Sequence, residues 1–241
     1  MYIFVARHVI IFVCIDVLHA LDLGCTQDAV GNCLYVFLQS GLVVGRSMDE
    51  KVQSLWLKLR KHYQLFSPPS QIQGLTAEMI RQSGKGPKLR AKGAETRGVV
   101  PFALECAIEM NEHCQTTKSL TILQCLSSLM DFYMLMQLDT WHRHVAAAAC
   151  RKFCILYSAL SQQAEKEGHP LHWRVKPKFH MFCELAEYQT PLLGNPAKYW
   201  SYADEDFVGW VAKLAASKGG PKAAATTAKG VLERYRAMRE L

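Results

Sequence analysis

Residues 9–15 are apolar and largely β-branched with no helical stripe, the pattern of a short strand buried on both faces. Asp16 closes the run. Over residues 17–38 the apolar positions Leu18, Leu21, Val30, Leu34, Val36 and Phe37 recur at helical spacing. Gly24 and Gly31 interrupt them, which predicts two short helices or one kinked helix. Val52, Leu55, Trp56, Leu59 and Tyr63 form an i, i+3, i+4, i+7 stripe opposite a Lys- and Arg-bearing face, predicting a helix over 48–63. Pro68-Pro69 then forces extended chain, and Thr76 to Ile80 starts another short helix. Gly84-Lys-Gly-Pro-Lys-Leu-Arg-Ala-Lys-Gly93 combines glycine, proline and four basic side chains, the composition of a mobile surface loop.

Three long helices are predicted next, over 99–114, 118–138 and 140–166, the last closed by Gly168 as a C-cap. The middle one is apolar on every side, so it is expected at the centre of a bundle. After His169-Pro170 a short amphipathic helix is expected to run to about Tyr188. Asn195 has the chemistry of an N-cap and Pro196 that of a first helical residue. They open a predicted helix that passes through Glu205 and ends at Gly219-Gly220, and Pro221 starts a last, basic helix. The pattern is mainly α with a minor N-terminal β element.

Composition narrows this picture. The 241 residues are half hydrophobic, enough for one large core or two small domains. The net charge of +7 permits a polyanionic partner but falls short of a dedicated basic module. Nine cysteines, odd in number and without a C-x-x-C pair, predict reduced, buried thiols in an intracellular protein. Cys150 and Cys154, four apart, lack the paired spacing of a structural zinc site, so none is expected. The first 23 residues are apolar, yet Arg7, His8, Asp16, His19 and Asp22 interrupt them. A buried strand and helix fits better than a membrane span, and no membrane partner is expected. P-loop, dinucleotide and nucleophile-elbow patterns are missing, which argues against a small-molecule cofactor.

Two separated segments carry the candidate chemistry. Asp16-Val-Leu-His19 closes the strand-like run. Near the other end, Lys178-Phe-His180 is followed by Gly194-Asn-Pro, Tyr199-Trp200-Ser-Tyr202 and Glu205-Asp-Phe207. A D-x-x-H, a long helical stretch, then a Glu with Trp200 five residues before it and Phe207 two after: this order resembles the C-terminal half of CACTA/Plavaka-type DDE transposases. Lys92-Gly-Ala-Glu95 to Pro101 resembles that family's entry into a helical insertion.

The resemblance implies a partial RNase H-like core interrupted by an all-helical insertion. Residues 1–45 would hold a late strand and helix of the core, 46–170 the insertion bundle, and 171–241 the C-terminal helices with the glutamate helix. It implies metal-dependent DNA strand cleavage and transfer, with Glu205 as the catalytic and metal-holding residue. Mg²⁺ or Mn²⁺ would be the ions, since carboxylates suit hard cations that activate the attacking oxygen and stabilise the leaving one. Asp16 and His19 would lie near the active site, and the protein would be nuclear. Two further aspartates of the family's trio are missing from the matched segments, so the chain alone is expected to be inactive and to hold no ion.

Simpler readings stand beside each residue. Asp204, Glu205 and Asp206 suit the acidic first turn of a helix, and Asp16 suits an N-cap followed by a satisfied histidine. Lys85, Lys88, Arg90 and Lys92, with Lys176 and Lys178, are candidate phosphate contacts, while a solvated loop is the competing reading of the first four. A non-catalytic DNA-binding or scaffold protein, whose helical insertion contacts DNA or pairs with a second copy of the chain, and a helical protein-interaction module are therefore the alternatives to a transposase fragment.

Overall fold

The computed structural model describes residues 14–202 and Lys229, and all regular structure among them is helical. Residues 14–199 belong to one compact unit; Trp200–Leu241 form a second. Residues 9–13 of the expected strand lie outside the described residues. Cys14, Ile15 and Asp16 carry no regular structure. The Gln189 side-chain amide takes both backbone groups of Ile15, accepting from its N–H at 2.7 Å and donating to its carbonyl at 2.9 Å.

The chain then enters α1 (Leu18–Thr26), wound in wide π-type turns, and α2 (Gln27–Gln39). The expected break at Gly24 is present, with non-helical φ −113°, ψ −105°. Gly31 breaks nothing and lies inside α2. Its role is spatial: a Cβ there would sit 2.3 Å from the backbone nitrogen of Leu89. Next come α3 (Met48–Phe66), capped by the Ser47 hydroxyl, and α4 (Ala77–Ile80), capped by Thr76. Both caps satisfy an otherwise unpaired first-turn N–H.

The segment expected to be a mobile loop is pinned instead. Lys88 and Arg90 donate their N–H groups to the carbonyls of Ile80 and Met79, both at 2.8 Å. Leu89, fully buried, donates to Gln27 O at 2.8 Å. Asn32 Nδ2 donates to Pro87 O at 3.1 Å, and Gln27 Nε2 to Ala91 O at 2.7 Å. Tertiary bonds to a helix far away in sequence override the local composition.

Helix α5 (Gly93–Cys114) starts earlier than the apolar pattern indicated, because Glu95 folds back to accept the Lys92 N–H at 2.9 Å. It packs on α6 (Thr117–Met136), which packs on α7 (Arg143–Lys166). Gly168 closes α7 with φ +79°. The chain continues through α8 (Pro177–Glu184), a π-type turn over Leu185–Gln189, and α9 (Thr190–Leu193). Asn195 does cap, accepting from Ala197 N at 2.9 Å, but the turn it opens is a 3-10 turn, Pro196–Lys198.

Helix α6 is long and apolar enough to span a membrane by length and composition, yet half of its most apolar stretch is buried. It is not enclosed all round as expected. Ile122, Cys125, Leu126, Leu129, Phe132 and Tyr133 face inward while Leu120 and Met134 stand about half exposed. Below it an aromatic column joins α6, α7 and α8. Phe132 meets Phe182 edge-on at 4.8 Å, Phe153 stacks on Phe179 at 5.9 Å, and Tyr157 lies 4.2 Å from Phe179 and 5.4 Å from Trp173. Each such ring contributes roughly 1.5–3 kcal/mol by burial, and edge contacts add to that.

Candidate nucleic-acid interface

Basic positions singled out in the sequence converge, joined by Arg174, which was not among them. Lys85, Lys88 and Arg90 from the pinned segment, and Arg174 and Lys176 from the entry to α8, line one cleft of about 290 Å³ together with Asp28, Asn32 and Tyr157. The two segments lie more than 80 residues apart, and three contacts hold them together. Asn32 bridges them, donating to Pro87 O and accepting the Trp173 N–H at 2.8 Å. Gly86 lies so close to Leu171 that a Cβ would be 2.0 Å from the Leu171 carbonyl oxygen. Asp28, buried in α2, receives Lys176 Nζ at 2.6 Å.

The cleft opens onto a shallower groove that shares Lys85, Lys88 and Arg90 and adds Gln27, Gln82, Lys92 and Glu95. Lys178 lies beside this face on α8, donating to Leu23 O at 3.3 Å. Electrostatics favour an anion here. Half-burial pushes the Lys88 ammonium below its usual pKa, and Lys176, Lys178 and Arg90 push the same way, only partly offset by Asp28. A group of cations crowded in this manner is relieved by an incoming negative charge.

Tyr157, in the wall of the cleft, is a different case. The Tyr157 hydroxyl is fully buried and has no hydrogen-bond partner among the described residues. Burial, then the charge of Asp28, hold its pKa well above the ordinary tyrosine value, so it stays a protonated donor. Nearly all buried hydroxyls are satisfied, so this one, shut off from solvent, costs stability where it stands.

The catalytic expectations fare differently. Glu205 and Phe207 lie outside the described residues. In the second unit, Trp200 and Tyr202 meet edge-on with ring centroids 5.3 Å apart. Asp16 adopts cap geometry, its carboxylate accepting the His19 N–H at 3.1 Å and lying 2.6 Å from His19 Nδ1. Asp22 is wholly buried and binds Arg97 at 2.5 Å and the Tyr133 hydroxyl, which also pairs with Thr26 at 2.7 Å. Asp28 is committed to Lys176. Among the described residues no three carboxylates or histidines come close enough together to share a cation.

One cluster escaped the sequence reading. Cys150 and Cys154 on α7 and Cys183 on α8 place their sulfurs within 4.8 Å of one another. The i, i+4 pair was visible in the sequence, but the third thiol arrives only through helix packing. The chain matches no family model, no curated protein and no solved structure.

Proposed function

We propose that this chain is a nucleic-acid-binding helical module whose basic cleft and adjoining groove hold the phosphate backbone. The observation that carries the reading is the meeting of Lys85, Lys88 and Arg90 with Arg174 and Lys176 on one surface. A lone anion would need only the cleft. The continuation along Lys85, Lys88, Arg90 and Lys92 suits a charged polymer. These contacts reach phosphate, so they give affinity rather than sequence discrimination.

The resemblance to CACTA/Plavaka-type transposases supplies the biological frame: a helical insertion that grips DNA, attached to a metal-dependent strand-cleaving core. In that frame Glu205 holds Mg²⁺ or Mn²⁺ together with carboxylates beyond the matched segments, Asp16 and His19 lie near the reacting strand, and the protein acts in the nucleus. The cleft supports DNA binding and bears on no bond-breaking step.

The test is a salt series on a short DNA duplex. Five or so phosphate contacts give a log–log slope of about −4 to −5. Lys85→Gln, Lys88→Gln and Arg90→Gln together should reduce it by about 3, whereas Lys61→Gln, an exposed cation on α3, should leave it unchanged. Glu205→Gln should leave binding intact. A slope unaltered by the triple substitution would remove the cleft from the reading.

A further inference from the structure

We infer that Cys150, Cys154 and Cys183 form a binding site for a thiophilic d¹⁰ cation of the zinc(II) class, clamping α7 to α8. Cys150 and Cys154 stand one turn apart on the same face of α7. Helix α8 lies against that face and delivers Cys183. The three sulfurs lie within 4.8 Å of one another, with Cys154 and Cys183 at 3.5 Å. Around zinc at the ~2.3 Å zinc–sulfur distance, neighbouring sulfurs of a tetrahedron are about 3.8 Å apart. Side-chain shifts of under about 1 Å therefore bring the three sulfurs to three corners of the tetrahedron.

The chemistry selects the ion. Three sulfurs and no nearby carboxylate trio favour zinc over magnesium or calcium. Cys150 is buried and fixes the base of the site, while Cys154 and Cys183 are partly exposed, which gives the ion a way in. On loading, each thiol gives its proton to solvent and its sulfur lone pair to the metal. No electron is transferred and no oxidant is needed. The site is separate from the basic cleft and does not depend on the nucleic-acid reading.

The full chain, kept reduced and stripped with a chelator, is titrated with cobalt(II) and then zinc(II). The expected result is one equivalent bound, with a sulfur-to-cobalt charge-transfer band in the near ultraviolet that zinc abolishes. In the same wild-type protein, one equivalent of zinc should slow alkylation of Cys154 and Cys183 by about tenfold or more and leave exposed Cys114 at its original rate. Cys154→Ser with Cys183→Ser should remove the band. Absence of the band, its persistence in the double variant, or unprotected Cys154 and Cys183 in wild type with zinc each overturns the proposal. The alkylation readout needs no variant, so a substitution that fails to fold does not blunt it.

Discussion

Trp173 donates its backbone N–H to Asn32 Oδ1 at 2.8 Å across 141 residues, while holding a left-handed φ of +52°. A bulky residue in that region is strained. The bond fixes the strained residue where the second basic segment begins. Asn32→Ala deletes it together with the bond to Pro87 O. We expect a stability loss of about 2–4 kcal/mol by urea denaturation, from two buried groups left unpaired, and a DNA affinity loss larger than that of any single lysine substitution. Unchanged affinity in the folded variant would show that the two segments bind independently.

Gly31 lets the backbone of Lys88 and Leu89 lie directly on α2. Gly31→Ala places a methyl group where backbone atoms already stand, so the pinned segment must lift away despite the better helix propensity of alanine. Limited proteolysis should then cut within 84–93 faster than it does in wild type. Gly74→Ala meets nothing within 4 Å and should behave as wild type.

Tyr157 separates stability from binding. Its buried hydroxyl has no partner among the described residues, so Tyr157→Phe removes a desolvation cost and is expected to be neutral or stabilising by up to about 1 kcal/mol. Because the hydroxyl is shut off from solvent, the same change should leave DNA binding unaltered. A clearly destabilised Phe variant would show that the hydroxyl has a partner in the folded protein.

Asp22 anchors a buried ionic network. Asp22→Asn leaves the Arg97 guanidinium without its carboxylate and should cost about 3 kcal/mol. Tyr133→Phe removes one hydrogen bond to the same carboxylate and should cost about 1–2 kcal/mol. Because both act on one group, the double variant should cost less than the sum, as read by a double-mutant cycle.

His172 supplies a pH signature. Burial first, then Arg81, His169 and Lys118, lower its pKa to about 4, with Glu167 opposing. The unfolded chain takes up that proton near pH 6.5 and the folded chain resists it. Stability is therefore complete above about pH 6.5 and falls as pH drops toward 4, by roughly 1 kcal/mol after solvent screening. His172→Gln should flatten this part of the stability–pH curve, leaving the carboxylate-driven loss at lower pH.

Much of the helical order was legible from periodicity and caps: Gly168 and Asn195 sit at boundaries their chemistry suggests, while the caps at Ser47 and Thr76 came from the structure. The cations were legible too, since Lys85, Lys88, Arg90 and Lys176 were all singled out. Their convergence was not legible, because it rests on Asn32 and on the close approaches at Gly31 and Gly86, where glycine in a helix or loop reads as weakness rather than contact. Cys183 joins Cys150 and Cys154 only through packing of α8 on α7, which no local pattern encodes. Helix α6 read as enclosed because hydropathy measures composition and ignores which neighbours arrive.

The span from Asn32 to Trp173 also sets an order of events. During synthesis, domains fold as their parts emerge, and the half of the cleft at 84–92 leaves the ribosome long before Arg174 and Lys176. Until Trp173 reaches Asn32, these lysines and arginines are scattered along a chain rather than gathered on a face. The basic face therefore cannot assemble on a nascent chain that still lacks Arg174 and Lys176, and it closes only once Trp173 has been made.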